Sequence, residues 1–480
     1  MDLTVPVPLW LLLLLALLAG WTVVFSLLLP SIRWILRHPA RQALAEANRR
    51  LSIRIQPFKL TRREVLIERL INDPEVLEAV EEEARQGESG REAVLARVGT
   101  YAREIVPAFN AYLYFRLGYG VARAAARSLY RVRLGSSDEA ALAAIPPDAT
   151  VVFVINHRSN MDYVLVSYLA AERTALSYAV GEWARIWPLQ QLIRSMGAYF
   201  VRRNSGDPLY RKVLERYVHM ATQAGVTQAV FPEGGLSRDG ALRPPRLGLL
   251  DYIVRDFDPR GRRDVSRDVV FVPVAINYDR VLEDRTLLLD LLPREERRPA
   301  PAMTTTLRFV ARNVWLMLRS EWHRFGYACV NFGAPVSLSE HLARTGVDAA
   351  HLDRASRFEV TGRLAAELMA EIGRVVPVLP VPLLARVFEE AGGEGLSELE
   401  IKARFLGHLA RLQALGAKVY IPRQDQDYAA QVGLRMLLLR RMVSEEEGLF
   451  RARPEEARLL AYYANSIRHL DSTGGVLTAA

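Results

Sequence analysis

The pattern of hydrophobic and polar positions changes several times along the chain, and it starts with an apolar run. Residues 9–29 are 21 uncharged, mostly apolar residues, which are enough to cross the hydrocarbon core of a bilayer as one helix. Five arginines follow between positions 33 and 50. Because arginine is enriched on cytoplasmic flanks, residues 1–38 are predicted to be a transmembrane anchor in the cell (inner) membrane, with the rest of the chain on the cytoplasmic side. A buried core helix is the alternative.

Residues 39–135 have apolar positions three and four apart, which is the spacing of amphipathic helices. This spacing predicts a helical N-terminal region. Its last part, residues 112–135, is strongly basic and is also predicted to be helical. That helix either lies on a membrane surface or packs on the domain that follows it.

Short apolar runs alternate with helical spacing over residues 136–345. This alternation predicts an α/β domain with a mixed central sheet flanked by helices. Strands are expected in the runs VVFVIN, GAYFV, QAVF, VVFVPVAINYD and YACVNFG. Helical spacing returns over residues 346–480 and predicts a helical C-terminal region.

Composition narrows the range of partners. Half of the residues are hydrophobic, and the net charge of +9 favours contact with anionic surfaces such as membrane lipids. No nucleic-acid-binding motif accompanies this charge, so nucleic acid is not an expected partner. The single Cys329 excludes an intramolecular disulfide, and its apolar neighbours predict a buried thiol. No Cys/His cluster is present, so no metal is expected.

His157 and Asp162 form the candidate catalytic pair. The first strand run ends at Asn156 and Ser159 can cap the next helix, which places His157 on the turn and Asp162 in the first helical turns. Within one regular helix, residues five apart would point about 140° away from each other, so the turn is what allows the pair to meet. A carboxylate on one imidazole nitrogen fixes the tautomer and leaves the other nitrogen available as a base.

Other polar residues follow two more of the predicted strands. They are Arg202 and Arg203 at the end of one strand, and Glu233, Gly234, Gly235 and Arg238 in the turn after another. Glycines allow close backbone approach, and guanidinium groups bind phosphate with two parallel hydrogen bonds. Because α/β folds carry their sites at the carboxyl ends of strands, we expect these residues and Arg158 to surround the histidine.

Four segments in this order resemble the motifs of the glycerolipid acyltransferases. They are N-H-R-S-N-M-D, G-A-Y-F-V-R-R, F-P-E-G-G-L-S-R and V-P-V. The first and third segments, together with LAYYANSIRHL near the C-terminus, are most similar to the bacterial membrane-bound glycerol-3-phosphate acyltransferases. The resemblance extends from about residue 100 to the end of the chain. One departure is Leu236, where the family usually has arginine or another polar residue.

The resemblance implies an enzyme that acylates the sn-1 hydroxyl of glycerol 3-phosphate and produces 1-acyl-glycerol 3-phosphate, the first step of phospholipid synthesis. The acyl donor is expected to be an acyl-coenzyme A or an acyl carrier protein thioester, with no cofactor. His157 and Asp162 would be catalytic, and the arginines and the Glu-Gly-Gly turn would bind substrate. Because Leu236 departs from the family pattern, an enzyme that uses another acceptor, dihydroxyacetone phosphate or lysophosphatidic acid, remains an alternative. A membrane scaffold without activity is a more distant alternative, which the retained His157 and Asp162 oppose.

Overall fold

The computed structural model describes residues 56–87, 90–111, 113–170, 176–181, 189–202, 205–255, 257, 267–289, 291, 325–347 and 354–471. The predicted anchor lies outside these ranges, and so does Arg203. No helix within these ranges combines the length and the apolar character needed to span a bilayer.

Most strands of the main sheet are buried, but the first, Arg131–Leu134, is largely exposed. The strands are β1 (Arg131–Leu134), β2 (Thr150–Ile155), β3 (Ser177–Val180), β4 (Tyr199–Phe200), β5 (Gln228–Val230), β6 (Val269–Tyr278), β7 (Tyr327–Phe332), β8 (Val336–Ser337), β9 (Val443–Glu446) and β10 (Leu449–Ala452). Within the described ranges, eight of them form one sheet in the order β1-β7-β6-β2-β5-β3-β4, with β8 on β6. Strands β2 to β6 run parallel to one another, whereas β7 is antiparallel to β6. The predicted mixed sheet is therefore confirmed.

Within the described residues, helices lie before, between and after the strands in sequence. They are α1 (Pro57–Leu60), α2 (Arg63–Ile71), α3 (Pro74–Gln86), α4 (Arg91–Ile105), α5 (Tyr119–Leu129), α6 (Glu139–Ala143), α7 (Met161–Ala170), α8 (Leu189–Ser195), α9 (Pro208–Gln223), α10 (Gly248–Val254), α11 (Asp284–Leu289), α12 (Leu338–Thr345), α13 (Arg354–Arg374), α14 (Pro380–Ala391), α15 (Glu398–Ala414), α16 (Gln426–Leu439) and α17 (Ala457–Arg468). A π-helical segment, Leu113–Gly118, precedes α5.

Strand β1 corrects the prediction of one basic helix through residue 135. The helix ends at Leu129, and Arg131–Leu134 add a strand to the sheet, parallel to β7. The pairing partner lies almost 200 residues away in sequence, with Arg131 in register with Tyr327. A long-range backbone contact of this kind leaves no trace in local periodicity, and it overrides the helical spacing. The hairpin of β9 and β10 is likewise an addition to the predicted helical C-terminal region.

Strand β6 tolerates Pro273 near its centre because its neighbour changes there. Strand β7 pairs with β6 from Val274 onward, and β8 pairs with Val270 and Phe271. Pro273 lies between these two partners, where its missing N–H removes no ladder bond on that side, and its carbonyl accepts a hydrogen bond from Gly333. The long strand therefore continues to Tyr278, at the same sheet edge as the end of β2.

The parallel direction of β2, β4, β5 and β6 brings their carboxyl ends to one edge of the sheet. The segments that start at Asn156, Val201 and Phe231 all leave the sheet along this edge. The edge is the position where the sequence predicts a site.

Candidate active site

The turn between β2 and α7 holds His157 against Asp162. Nδ1 of His157 lies 2.9 Å from Oδ2 of Asp162. Helix α7 begins at Met161, so Asp162 is in its first turn and His157 precedes the helix. The Ser159 hydroxyl accepts a hydrogen bond from the Met161 N–H at 3.1 Å, which caps the helix start. The geometry of the turn is the one that the sequence predicts.

Asp162 is fully buried and accepts several hydrogen bonds. Its Oδ2 accepts from the backbone N–H groups of Arg158 and Ser159, at 2.7 and 3.0 Å, in addition to the imidazole. Its Oδ1 accepts from the hydroxyl of Tyr278 at the end of β6. Burial and the neighbouring Asp162 carboxylate raise the pKa of Tyr278 well above its usual value, so the phenol stays protonated and donates. These donors fix the position and orientation of the Asp162 carboxylate in a buried place.

The imidazole of His157 leaves one nitrogen available. The side chain is 1% exposed, and its Nε2 is buried with no hydrogen-bond partner among the described residues. The ring lies against Phe231, with 4.3 Å between ring centroids, and its edge faces Tyr163 at 5.3 Å. Because Nδ1 faces the carboxylate, the proton belongs on Nδ1 and Nε2 carries the lone pair. The pair can act as an oriented general base.

Glu233 ties the turn after β5 to the histidine backbone. Its Oε1 accepts from the N–H of His157 at 2.9 Å, and its Oε2 accepts from the N–H of Arg243 at 3.1 Å. Burial raises the pKa of Glu233 to about 7, against the opposing effects of Arg158 and of the two N–H groups. Both of its carboxylate oxygens contact backbone, so Glu233 joins the turn after β5 to the turn that holds His157.

The paired glycines allow the turn after Glu233 to close. Gly234 has a φ of +66°, and a Cβ there would lie 2.6 Å from Cδ of Arg246. Gly235 beside it is buried. Leu236 is half-buried and packs on the core, and its carbonyl accepts from the Arg243 side chain at 3.3 Å. The Ser237 N–H then donates to the His157 carbonyl at 2.9 Å, which joins the two turns.

The four predicted substrate-binding arginines occupy different environments. Arg158 is 1% exposed and donates to the Ser466 carbonyl at 3.3 Å, while its Nε and Nη1 have no partner among the described residues. Arg202 makes two parallel bonds to Glu104, at 2.9 and 2.7 Å, so its guanidinium already has a carboxylate partner. Arg238 is exposed, and Arg203 lies outside the described residues. Their roles in substrate binding stay predictions.

Helix α17, which contains the segment LAYYANSIRHL, braces the active-site turns from behind. A Cβ on Gly240 would lie 1.8 Å from the Tyr462 carbonyl oxygen, so only glycine fits there. The Asn465 side chain donates to the Asp239 carbonyl at 2.9 Å. Ser466 accepts from Arg158 through its carbonyl and from Asn277 through its hydroxyl. The C-terminal helix thus contacts the turns after β2 and β5 and the end of β6.

Sequence reasoning missed Tyr278, Glu283 and Ser466. Tyr278 ends a predicted strand, and its position at the carboxyl end of that strand could have indicated that it lies near His157 and Asp162. Glu283 accepts from the Ser159 hydroxyl at 2.7 Å and from the Asn160 N–H at 3.2 Å, and no spacing pattern indicated it. Within the described residues, no group of three or more His, Cys, Asp or Glu side chains could hold a metal ion.

Two family models match separate parts of the chain. The model described as Acyltransferase matches residues 140–277, and the model described as Glycerol-3-phosphate acyltransferase C-terminal region matches residues 313–474. The first range contains the His157, Arg202 and Glu233 turns, and the second contains α17. The edge that holds the candidate site and the helix packed on it therefore each fall within a matched range.

Curated relatives match most of the chain. Glycerol-3-phosphate acyltransferases of Aeromonas hydrophila and Pseudomonas fluorescens are 28% and 27% identical, over 88% of this chain and 51% and 50% of their own length. The chain thus spans about half the length of these relatives. The solved 1-acyl-sn-glycerophosphate acyltransferase of Thermotoga maritima is 17% identical, covering 64% of this chain and 97% of its own, with a TM-score of 0.28. That score is too low to establish a shared fold.

Proposed function

We propose that this chain transfers an acyl group from a thioester to the sn-1 hydroxyl of glycerol 3-phosphate. The premise is that it belongs to the bacterial glycerol-3-phosphate acyltransferase family. The observation that carries the proposal is the buried His157–Asp162 pair with the histidine Nε2 left open. A base held in one tautomer is what the attack of an alcohol on a thioester requires. The acceptor is inferred from the relatives, which are glycerol-3-phosphate acyltransferases.

In the proposed mechanism, Nε2 of His157 removes the proton from the acceptor's primary hydroxyl. The oxygen attacks the thioester carbonyl and forms a tetrahedral oxyanion. Collapse of the oxyanion breaks the C–S bond, and the imidazolium returns its proton to the departing thiolate. Asp162 stabilises the imidazolium during these steps, because its charge lies 2.9 Å from Nδ1.

The oxyanion needs a hydrogen-bond donor near the histidine. The Gly234 N–H already donates to the Phe231 carbonyl at 3.0 Å. We therefore assign the role to the N–H of Gly235, in the turn that Glu233 fixes to the His157 backbone. A preorganised donor of this kind contributes about 3–4 kcal/mol to transition-state stabilisation.

The acceptor's phosphate distinguishes glycerol 3-phosphate from glycerol, so cations should bind it. Arg202 is paired with Glu104, which leaves Arg238 and Arg203 as the first candidates and Arg202 and Arg158 as supporting charges. Arg238 follows the glycine turn and its side chain is exposed, so it is available to a substrate.

Replacing Arg238 with alanine is expected to raise the KM for glycerol 3-phosphate by about 10- to 150-fold, the worth of one charge-assisted hydrogen bond. The KM for the acyl thioester should stay near that of the wild type. Steady-state kinetics with each substrate varied in turn measures both constants. Arg344→Ala is the matched control, since Arg344 is an exposed arginine of α12 that pairs with Glu367. An increase confined to the thioester KM would assign Arg238 to the donor instead.

The identity of the acceptor is tested with a panel of substrates. We expect the purified full-length chain to acylate labelled glycerol 3-phosphate faster than dihydroxyacetone phosphate or lysophosphatidic acid, with palmitoyl-coenzyme A and palmitoyl-acyl carrier protein compared as donors. Leu236, which offers no charge to a phosphate, is the reason to include the other acceptors. Preference for either of them would replace the proposed acceptor while keeping the mechanism.

We also propose that residues 9–29 anchor the chain in the cell membrane with the catalytic edge on the cytoplasmic side. The uncharged run and the arginines after it support this placement. Alkaline carbonate extraction should leave the full-length chain in the membrane pellet. Release into the supernatant would exclude a spanning helix.

A further inference from the structure

A pocket rich in arginine opens between the edge of the sheet and the C-terminal region. Its volume is about 480 Å³. Strand β1, the end of α5 and the turn before α16 contribute four guanidinium groups to it, and the residues that line it are Arg127, Tyr130, Arg131, Val132, Arg133, Tyr327, Tyr420 and Arg423. None of the lining residues is acidic. The pocket therefore presents a concentrated positive charge to whatever enters it.

The four arginines contact tyrosines rather than carboxylates. Nη1 of Arg131 donates to the hydroxyls of Tyr327 and Tyr428, at 3.2 and 3.4 Å, and Nε of Arg133 donates to Tyr420 at 2.8 Å. Arg423 lies over the Tyr428 ring, 4.2 Å from its centroid. None of the four forms an ion pair with a carboxylate in the part of the chain that the structure describes. The neutral phenols orient the guanidinium groups without neutralising them.

Several acidic residues lie near the pocket, and each has other partners. Glu283 and Asp284, which act on the lining Tyr130, bond to Ser159 and to Arg440. Asp279 is fully buried and accepts the N–H groups of Tyr327 and Val381, at 2.8 and 3.1 Å, and burial raises its pKa to about 7. Asp425 caps α16 by accepting the N–H of Tyr428 at 3.0 Å. The hydrogen bond from Arg131 lowers the pKa of the Tyr428 hydroxyl, as a positive local potential would. Among the residues that line the pocket, all the charged groups are therefore guanidinium groups.

The backbone at one wall is held in an unfavourable conformation. Arg423 and Gln424 both have positive φ, at 58° and 57°, where side chains are disfavoured. Each such residue costs about 1 kcal/mol or more, and ligand-binding sites are one of the places where strain of this kind clusters. Arg423 lines the pocket together with Arg131 and Arg133 of β1.

The pocket lies on the same edge of the sheet as the catalytic pair. Arg131 starts β1 beside Tyr327, and Tyr327 starts β7 beside the end of β6. Strands β1 and β2 are three positions apart, which is about 14 Å at the usual strand spacing. The pocket wall also touches the active site, because Tyr130 packs on Tyr278 with 5.2 Å between ring centroids. A ligand of moderate length can therefore reach from the arginine pocket to the His157–Asp162 pair.

We propose that this pocket binds the phosphate groups of an organic phosphate. Guanidinium groups match phosphate oxygens in geometry and charge, and four of them suit a group with more than one negative charge. Two sources carry this chemistry. One is the nucleotide end of a coenzyme A thioester whose acyl group lies at His157, an assignment that rests on the proposed function. The other is the headgroup of an anionic phospholipid.

The test uses the full-length chain with His157→Ala, so that binding is measured without turnover. Adenosine 3′,5′-bisphosphate is titrated calorimetrically, and binding to phosphatidylglycerol vesicles is measured by sedimentation against phosphatidylcholine vesicles. The pocket variants are Arg131→Gln with Arg423→Gln and, separately, Arg127→Gln with Arg133→Gln. The control is Arg85→Gln, an exposed arginine of α3. Thermal melting verifies that each variant folds.

We expect at least one pocket pair to weaken binding by tenfold or more, while Arg85→Gln changes it less than twofold. Loss of affinity for the bisphosphate nucleotide would show that the pocket binds the nucleotide end of the acyl donor. Loss of affinity for phosphatidylglycerol vesicles would show that it binds a phospholipid headgroup. Unchanged binding of both ligands in both folded pairs overturns the proposal. Because neither measurement needs acyl transfer, a failure here is separate from a failure of the proposed activity.

Discussion

Replacing His157 with alanine is expected to lower kcat for acyl transfer by about 10²- to 10⁴-fold, the usual contribution of a general base. The physical reason is that Nδ1 of His157 bonds to the Asp162 carboxylate, whereas Nε2 has no hydrogen-bond partner among the described residues and can accept a proton. The fold should survive, because the ring packs on Phe231 and Tyr163 while the turn itself is held by backbone bonds to Asp162 and Glu233. Initial rates at saturating substrates measure the effect.

The chain contains a matched control for this variant. His341 on α12 is also buried, with Nδ1 placed 2.7 Å from a carboxylate oxygen of Glu367. Its helix follows β8, which pairs with the start of β6 and not with its carboxyl end. His341→Ala should therefore retain near-normal turnover even if it melts at a lower temperature. Near-normal turnover in a folded His157→Ala protein would disprove the proposed mechanism.

Asp162→Asn is expected to reduce kcat by a factor on the order of 10⁴, by analogy with the loss of the aspartate from a Ser-His-Asp triad. An amide has one oxygen, whereas Asp162 accepts from the imidazole, two backbone N–H groups and the Tyr278 hydroxyl. If the amide nitrogen faces Nδ1, the histidine takes the wrong tautomer and loses its lone pair on Nε2. The imidazolium also loses its counter-charge. Single-turnover rates across a range of pH values measure both effects.

Tyr278→Phe separates the effect of the orientation of the Asp162 carboxylate from the effect of its charge. It removes one hydrogen bond to Oδ1 of Asp162 and leaves the carboxylate and the imidazole contact in place. The expected loss is about 10- to 150-fold, as for other hydrogen bonds to a charged group. An Asp162→Asn protein no slower than Tyr278→Phe would mean that the carboxylate charge is unimportant for the reaction.

Much of the sheet and the catalytic turn could be predicted because both depend on local pattern. The runs that became β2 and β6 are continuous, apolar and β-branched, and a strand followed by a capped helix is enough to place His157 near Asp162. The edge that joins the motifs follows from parallel strand direction alone. These features need no knowledge of distant contacts.

The environment of the arginines could not be predicted, because it depends on residues far away in sequence. Arg202 lies two residues after the end of β4, close to where a strand end was expected, but its guanidinium is bound by Glu104 on α4, a contact across 98 positions. Arg158 is covered by Ser466, 308 positions further on. Strand β1 joined the sheet through a partner near residue 327. Residue type and spacing indicate which side chains can bind phosphate, but long-range packing decides which remain available.

The brace formed by α17 has a consequence for the timing of synthesis. His157 and its turn are made about 300 residues before Tyr462 and Asn465, which close over Gly240 and Asp239. At about 5–20 residues per second, translation separates the two by roughly 15–60 s. During that interval the nascent polypeptide has its histidine and aspartate, but the turn after β5 has no support behind it. The site can therefore be completed only late in translation, and a growing chain on the ribosome is expected to be silent toward its substrates.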